Sequence, residues 1–165
     1  IDHTLRANPE ANRLFMAIMT SKHDPETALR RMNESGVFGR FVPDFGRVVA
    51  QTQHDMYHTY TVDIHSLFLV EQLRRILRGR YRTQLPLATE LMREVRNPVW
   101  LYLACILHDI GKGRGGGHSG KGAALVPAIA ERLGLDEEAS RIVEFLVLHH
   151  LTMSGMAGIS PDISV

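Results

Sequence analysis

The sequence holds one cysteine, Cys105, and it lies inside an apolar run. That excludes an internal disulfide and any zinc site built on paired thiolates. Cys105 reads as a small buried hydrophobe. An excess of charge of either sign is also missing: 19 Lys and Arg against 18 Asp and Glu leave a net charge of +1. With no basic aromatic stripe either, no nucleic-acid partner is expected. Long hydrophobic runs are lacking too. The longest, Val99 to Leu107, falls well short of the roughly 20 residues that cross a bilayer. No signal-peptide pattern and no membrane partner are read, so the expected location is cytoplasmic. Strand-like alternation is the last absence, and it points to an all-α class.

What is present is helical punctuation. The chain has 165 residues, 44% of them hydrophobic, enough for one proper core. It opens at Ile1 and is read as a piece of a longer protein. Asn8-Pro9-Glu10 and Asp24-Pro25-Glu26 each offer a cap, a proline at the first helical position and an acidic first turn. Gly36 ends the second of these helices, and 37–53 read as short helical turns. Apolar spacing predicts a long helix from about Tyr57 to Leu77, then a shorter one over 84–95. Asn97-Pro98 opens a third, closed by Gly111 and the run Gly113-Arg114-Gly115-Gly116-Gly117. A helix over 119–133 stops at Gly134. Asp136 caps another that runs to His149-His150.

The nine histidines are the unusual count. His108 and Asp109 are adjacent at the end of an apolar helix. Neighbours on a helix point about 100° apart, so such a pair shares one ion only where the backbone can adjust, and the glycines arrive two residues later. His65, His118, His149, His150 and Asp162 are the residues that can complete a ligand shell. Mixed nitrogen and oxygen donors suit Mn²⁺, Mg²⁺, Fe²⁺ or Zn²⁺. Such an ion acidifies bound water and offsets charge on a phosphoryl group. Each histidine also has a plainer reading, as a satisfied core residue or as a helix C-terminal cation favourable to the dipole. Their recurrence at the edges of apolar helices is what favours the metal.

The order His65, His108-Asp109, late aspartate resembles the HD superfamily of metal-dependent phosphohydrolases. Four stretches narrow the match: Phe38 to Arg47 (FGRFVPDFGR), Met56 to His65 (MYHTYTVDIH), Leu107 to Gly113 (LHDIGKG) and His149 to Ser154 (HHLTMS). Over about residues 24–157 the chain is similar to the central HD domain of bacterial bifunctional uridylyltransferase/uridylyl-removing enzymes. Asp162 matches the family's late acidic ligand with one residue inserted and without the arginine that usually precedes it.

The resemblance implies an HD-domain helical bundle at 54–165, with 1–53 a helical lead-in packed on it. It implies hydrolysis of the phosphodiester joining UMP to a tyrosine of the nitrogen-regulatory protein PII, releasing UMP with Mn²⁺ or Mg²⁺ as cofactor. The signature of the nucleotidyltransferase domain and the ligand-sensing modules of that family are not in this sequence. On this pattern His65, His108, Asp109 and Asp162 hold one ion. His118, with His149 or His150 and a bridging Asp109, hold a second, and the count of one or two stays open. Lys112 steadies the phosphate or feeds a proton to the leaving oxygen. Arg114 and His58 are substrate-side candidates. Two rival readings share the same residues: an HD hydrolase of small nucleotides, and a catalytically silent HD sensor or spacer.

Overall fold

A computed structural model describes residues 1–50 and 60–156. Side-chain caps open four of the described helices, from Asp2, Asn8, Asn97 and Asp136, whereas Asp24, expected as another, makes no cap bond. Asp2 caps the short α1 (His3–Ala7). The Asn8 side chain accepts from the amides of Glu10 and Ala11 at 2.8 and 3.1 Å, which starts α2 (Pro9–Met19). Pro25 stands in the first turn of α3 (Pro25–Glu34), and Gly36, at φ +70°, turns the chain into α4 (Val37–Phe41) and α5 (Pro43–Gly46). There follow α6 (Val62–Leu77), α7 (Pro86–Glu94) and α8 (Pro98–Leu107). After the glycine loop come α9 (His118–Ala123), α10 (Val126–Arg132), α11 (Glu137–His149) and α12 (Thr152–Met156). No strand occurs among the described residues, and the class is all-α.

Two elements differ from the sequence expectation. The long helix begins at Val62: Thr61 is extended (φ −66°, ψ 157°) and Tyr60 lies in a bend. Its first turn is fixed from outside, because buried Asp63 accepts from Asn33 Nδ2 at 2.6 Å and from the Ala50 amide at 3.1 Å. The expected start at Tyr57 lies outside the described residues. The helix expected over 119–133 is two helices, α9 and α10. Pro127 has no N–H to return to the preceding turn, so the ladder breaks and restarts at Val126.

Among these helices α8 is apolar almost all round. Tyr102, Leu103, Ala104, Ile106 and Leu107 are all buried, as befits a central helix. It packs against both α6 and α11. The first 50 residues share this core: Phe15, Leu29, Phe38 and Phe45 belong to the same buried cluster as Val70, Ile106 and Val147. Burial of each such side chain stabilises by about 1.5–3 kcal/mol relative to exposure. Polar ties reinforce the contact. Arg74 reaches Glu26 at 3.0 Å, and Arg132 donates to the Phe41 carbonyl at 3.1 Å. The packing brings one end of α8 to the start of α9 and the end of α11.

Candidate metal centre

The centre is built where α8 stops. His108 is the C-cap residue of α8, and the chain then turns through Asp109 and Ile110 into the glycine loop. Its Nδ1 lies 2.8 Å from the Cys105 carbonyl. A carbonyl only accepts, so Nδ1 carries a hydrogen, and Nε2 is the atom left to hold either a second proton or, through its lone pair, a cation. That Nε2 is 3.0 Å from Asp109 Oδ2. A lone pair and a carboxylate at this distance repel unless a proton or a cation serves both. Two donors at ~2.1 Å from one ion, at about a right angle, are themselves ~3 Å apart.

His150 repeats the device. Its Nδ1 lies 2.7 Å from the Val147 carbonyl, one turn back in α11, which leaves Nε2 facing Asp109 Oδ1 at 3.7 Å. Burial pulls the His150 pKa below its ordinary value; the Val147 carbonyl works against this and His108 adds to it. The ring is therefore neutral near pH 7, the form that binds metal. His118 opens α9, and its Nε2 is 3.5 Å from Asp109 Oδ1. His65, half-buried in α6, approaches from the other side, its ring centroid 5.4 Å from that of His108.

Asp109 is the hub. It is buried, with Oδ2 toward His108 and Lys112 and Oδ1 toward His118 and His150. Burial alone would raise its pKa. With a proton on Nε2, His108 adds a hydrogen bond and a charge; together with Lys112 Nζ at 2.7 Å these outweigh burial and hold the carboxyl well below the usual range. Asp109 Oδ1 and His150 Nε2 are buried without a hydrogen-bond partner. Two triads form around this residue: His65, His108 and Asp109, and Asp109, His118 and His150. In each, the donor atoms lie within 4.8 Å of one another. Orphaned buried lone pairs, fixed tautomers and an N/O donor set together fit a divalent cation.

A close backbone contact lets α9 reach the centre. A Cβ on Gly111 would meet the His118 carbonyl oxygen at 2.1 Å and the Gly122 amide nitrogen at 2.7 Å. Only glycine permits that approach. Gly117, at φ +74°, caps α9 and sets the direction of His118.

Of the remaining sequence candidates, His149 and Arg114 are among the described residues. His149 is exposed, its ring centroid 4.6 Å from that of Phe145, and it joins neither triad. Adjacent residues at a helix end point different ways, and only His150 turns inward. Arg114 is engaged by Asp44 at 2.5 Å, and its carbonyl accepts from Lys121 Nζ at 2.6 Å. His58 and Asp162 lie outside the described residues. Sequence reasoning did not single out Asp44, nor the carbonyls of Cys105 and Val147. The carbonyl roles follow from a simple rule, a histidine three residues past a carbonyl at a helix end, but Asp44 carried no local signal.

Two family models match separate parts of the chain. The model "HD domain" matches residues 62–162, and "Uridylyltransferase GlnD third domain" matches residues 1–41. The chain is 55% identical over 150 residues to the bifunctional uridylyltransferase/uridylyl-removing enzyme of Azospirillum brasilense, covering 91% of this chain. It is 50% identical over 153 residues to the protein of that name from Rhodospirillum rubrum, covering 93%. With that of Novosphingobium aromaticivorans it shares 50% over 157 residues, covering 95%. The chain spans only 16 to 17% of the length of these relatives. With the HD model covering most of the chain, and every described residue of its two histidine–aspartate triads inside the matched segment, this chain belongs to the HD domain family.

Proposed function

We propose that this chain is a metal-dependent phosphodiesterase that removes UMP from the uridylylated tyrosine of the PII signalling protein, acting within a larger enzyme of the bacterial cytoplasm. One observation carries the reading: four histidines from four separate segments converge on Asp109, in a chain whose relatives are bifunctional uridylyltransferase/uridylyl-removing enzymes. No described helix is long and apolar enough to cross a membrane.

His65, His108 and Asp109 would hold one divalent ion, Mn²⁺ or Mg²⁺, and Asp109, His118 and His150 a second. Asp162 is a further candidate for the first. When bound, the ion lowers the pKa of water and offsets charge gathering on the phosphoryl oxygens. The protein's own groups do the rest. The Cys105 and Val147 carbonyls hold the His108 and His150 rings in one tautomer. Asp109, kept ionised, serves both triads. Lys112 places a cation 2.7 Å from Asp109, where it can neutralise phosphate charge or protonate the departing phenolate oxygen. That oxygen needs little help, because a tyrosine leaves with a pKa near ~10. Arg114 is assigned to holding the glycine loop through Asp44, and His58 to the substrate side.

The test is incubation of the chain with uridylylated PII and Mn²⁺ or Mg²⁺. UMP and unmodified PII should appear, and both EDTA and His108→Ala should stop their release. Hydrolysis of free nucleotides with PII-UMP untouched would favour the small-nucleotide reading. A purified chain that takes up no metal and leaves bis-para-nitrophenyl phosphate intact would favour the sensor.

A further inference from the structure

The tripeptide Phe-Gly-Arg occurs twice, at residues 38–40 and 45–47. The fold uses the two copies as a pair. Phe38 and Phe45 are fully buried and stack with ring centroids 4.3 Å apart. Behind them Gly39 and Gly46 cross in backbone contact: a Cβ on Gly46 would lie 2.5 Å from the Gly39 carbonyl oxygen. Fixed in this way, α4 and the end of α5 send Arg40 and Arg47 to one cleft of about 430 Å³. Arg6, from α1, supplies a third guanidinium; it also donates to the Arg40 carbonyl at 3.3 Å. Among the described residues no carboxylate lines the cleft. Both Arg40 and Arg47 are exposed, and among the described residues neither has an ion-pair partner.

Three like charges from three segments repel one another, and no described residue lining the cleft carries an opposite charge. The larger cleft of the molecule differs in this respect, since its lining mixes arginines with Glu131 and Asp136. Guanidinium forks match phosphate oxygens bidentately, and a rigid scaffold avoids most of the ordering cost of binding. The volume lies within the range of small-ligand sites, about 300–1,000 Å³.

From this arrangement we infer that Arg6, Arg40 and Arg47 form an anion site for a phosphate-bearing small molecule of nucleoside monophosphate size, separate from the metal centre. The cleft is joined to that centre by one short chain of contacts. Asn33, at its wall, donates to Asp63, and Asp63 lies two residues before His65 in α6.

The experiment is titration of the metal-stripped chain, in EDTA, with UMP, inorganic phosphate and poly-glutamate, followed by calorimetry. Removing metal takes the other centre out of the measurement, so the result does not depend on the hydrolase reading. Saturable binding of UMP or of inorganic phosphate is expected, weakening as salt rises. Each of Arg40→Gln and Arg47→Gln should weaken it roughly tenfold, the loss of one charge-assisted contact. Arg47→Lys, which keeps the charge and loses the fork, should fall between. Unchanged helical circular dichroism checks that these exposed substitutions leave the fold intact. No saturable binding of either phosphate compound, or binding indifferent to both glutamine substitutions, overturns the site. Binding of poly-glutamate alone also overturns it, in favour of an acidic protein segment.

Discussion

Gly111 backs directly onto His118. The alpha carbon of the loop residue lies so close to the first turn of α9 that a methyl group there would sit 2.1 Å from the His118 carbonyl oxygen. The contact couples the turn that carries Asp109 to the helix that carries His118. Gly111→Ala should therefore push α9 away. A loss of about 1–3 kcal/mol in unfolding free energy is expected from the overpacking. Denaturant unfolding measures the stability, and Mn²⁺ titration should show the His118 side weakened more than the His65 side.

Asp109 faces both triads, so its loss should differ in kind from the loss of a single histidine. Asp109→Asn should abolish metal uptake and reduce hydrolysis by more than about 100-fold, beyond what loss of a supporting group produces. His118→Ala or His150→Ala should remove one ion and leave the other, held by His65, His108 and Asp109. Metal content per chain by mass spectrometry, at rising Mn²⁺, separates the outcomes. Equal loss in all three variants would argue for one shared ion.

Arg114 and Asp44 join the glycine loop to the lead-in across a partly exposed ion pair at 2.5 Å. Solvent screening limits such a pair, so Arg114→Ala or Asp44→Ala should cost about 0.2–1 kcal/mol. The two losses should not add in the double variant, because the second substitution removes a partner already gone. A double-mutant cycle by urea unfolding measures this. Additive losses would mean that the pair contributes nothing as a pair.

Cys105 is half-buried against the core, and desolvation there pushes its thiol up to about 12 from an ordinary 9.0. The native thiol should stay protonated and react slowly with Ellman's reagent at pH 8 to 9, while the urea-unfolded chain reacts at once. The sign for stability follows. With the folded pKa raised, the contribution is fully present below pH ~9 and is lost as pH rises from there toward 12. Unfolding free energy measured from pH 8 to 11 should fall more in the natural chain than in Cys105→Ala. Rapid native labelling at pH 8 would contradict the burial.

Much of this protein was legible in its sequence because the signals are local. Asn8, Asp136 and the prolines that open helices act within one turn, and periodic apolar residues announced α6, α8 and α11 without reference to anything distant. His108 and Asp109 declared themselves because a polar pair ending an apolar helix has no packing explanation. Other features depend on which segments meet. Whether His149 or His150 turns inward depends on the angle at which α11 leaves the core, and the pair reads identically on the page. Asp63 reads in the sequence either as an exposed carboxylate or as an acceptor that orients a ligand imidazole, and only the fold brings Asn33 and the Ala50 amide to it. Asp44 and Arg114 are 70 residues apart, and no pattern in either neighbourhood joins them. Caps and hydrophobic spacing are short-range terms and are written in consecutive residues. The metal centre is a long-range juxtaposition, and it comes into being only when α8 is buried against α6 and α11 and four separate stretches of chain are brought to one carboxylate.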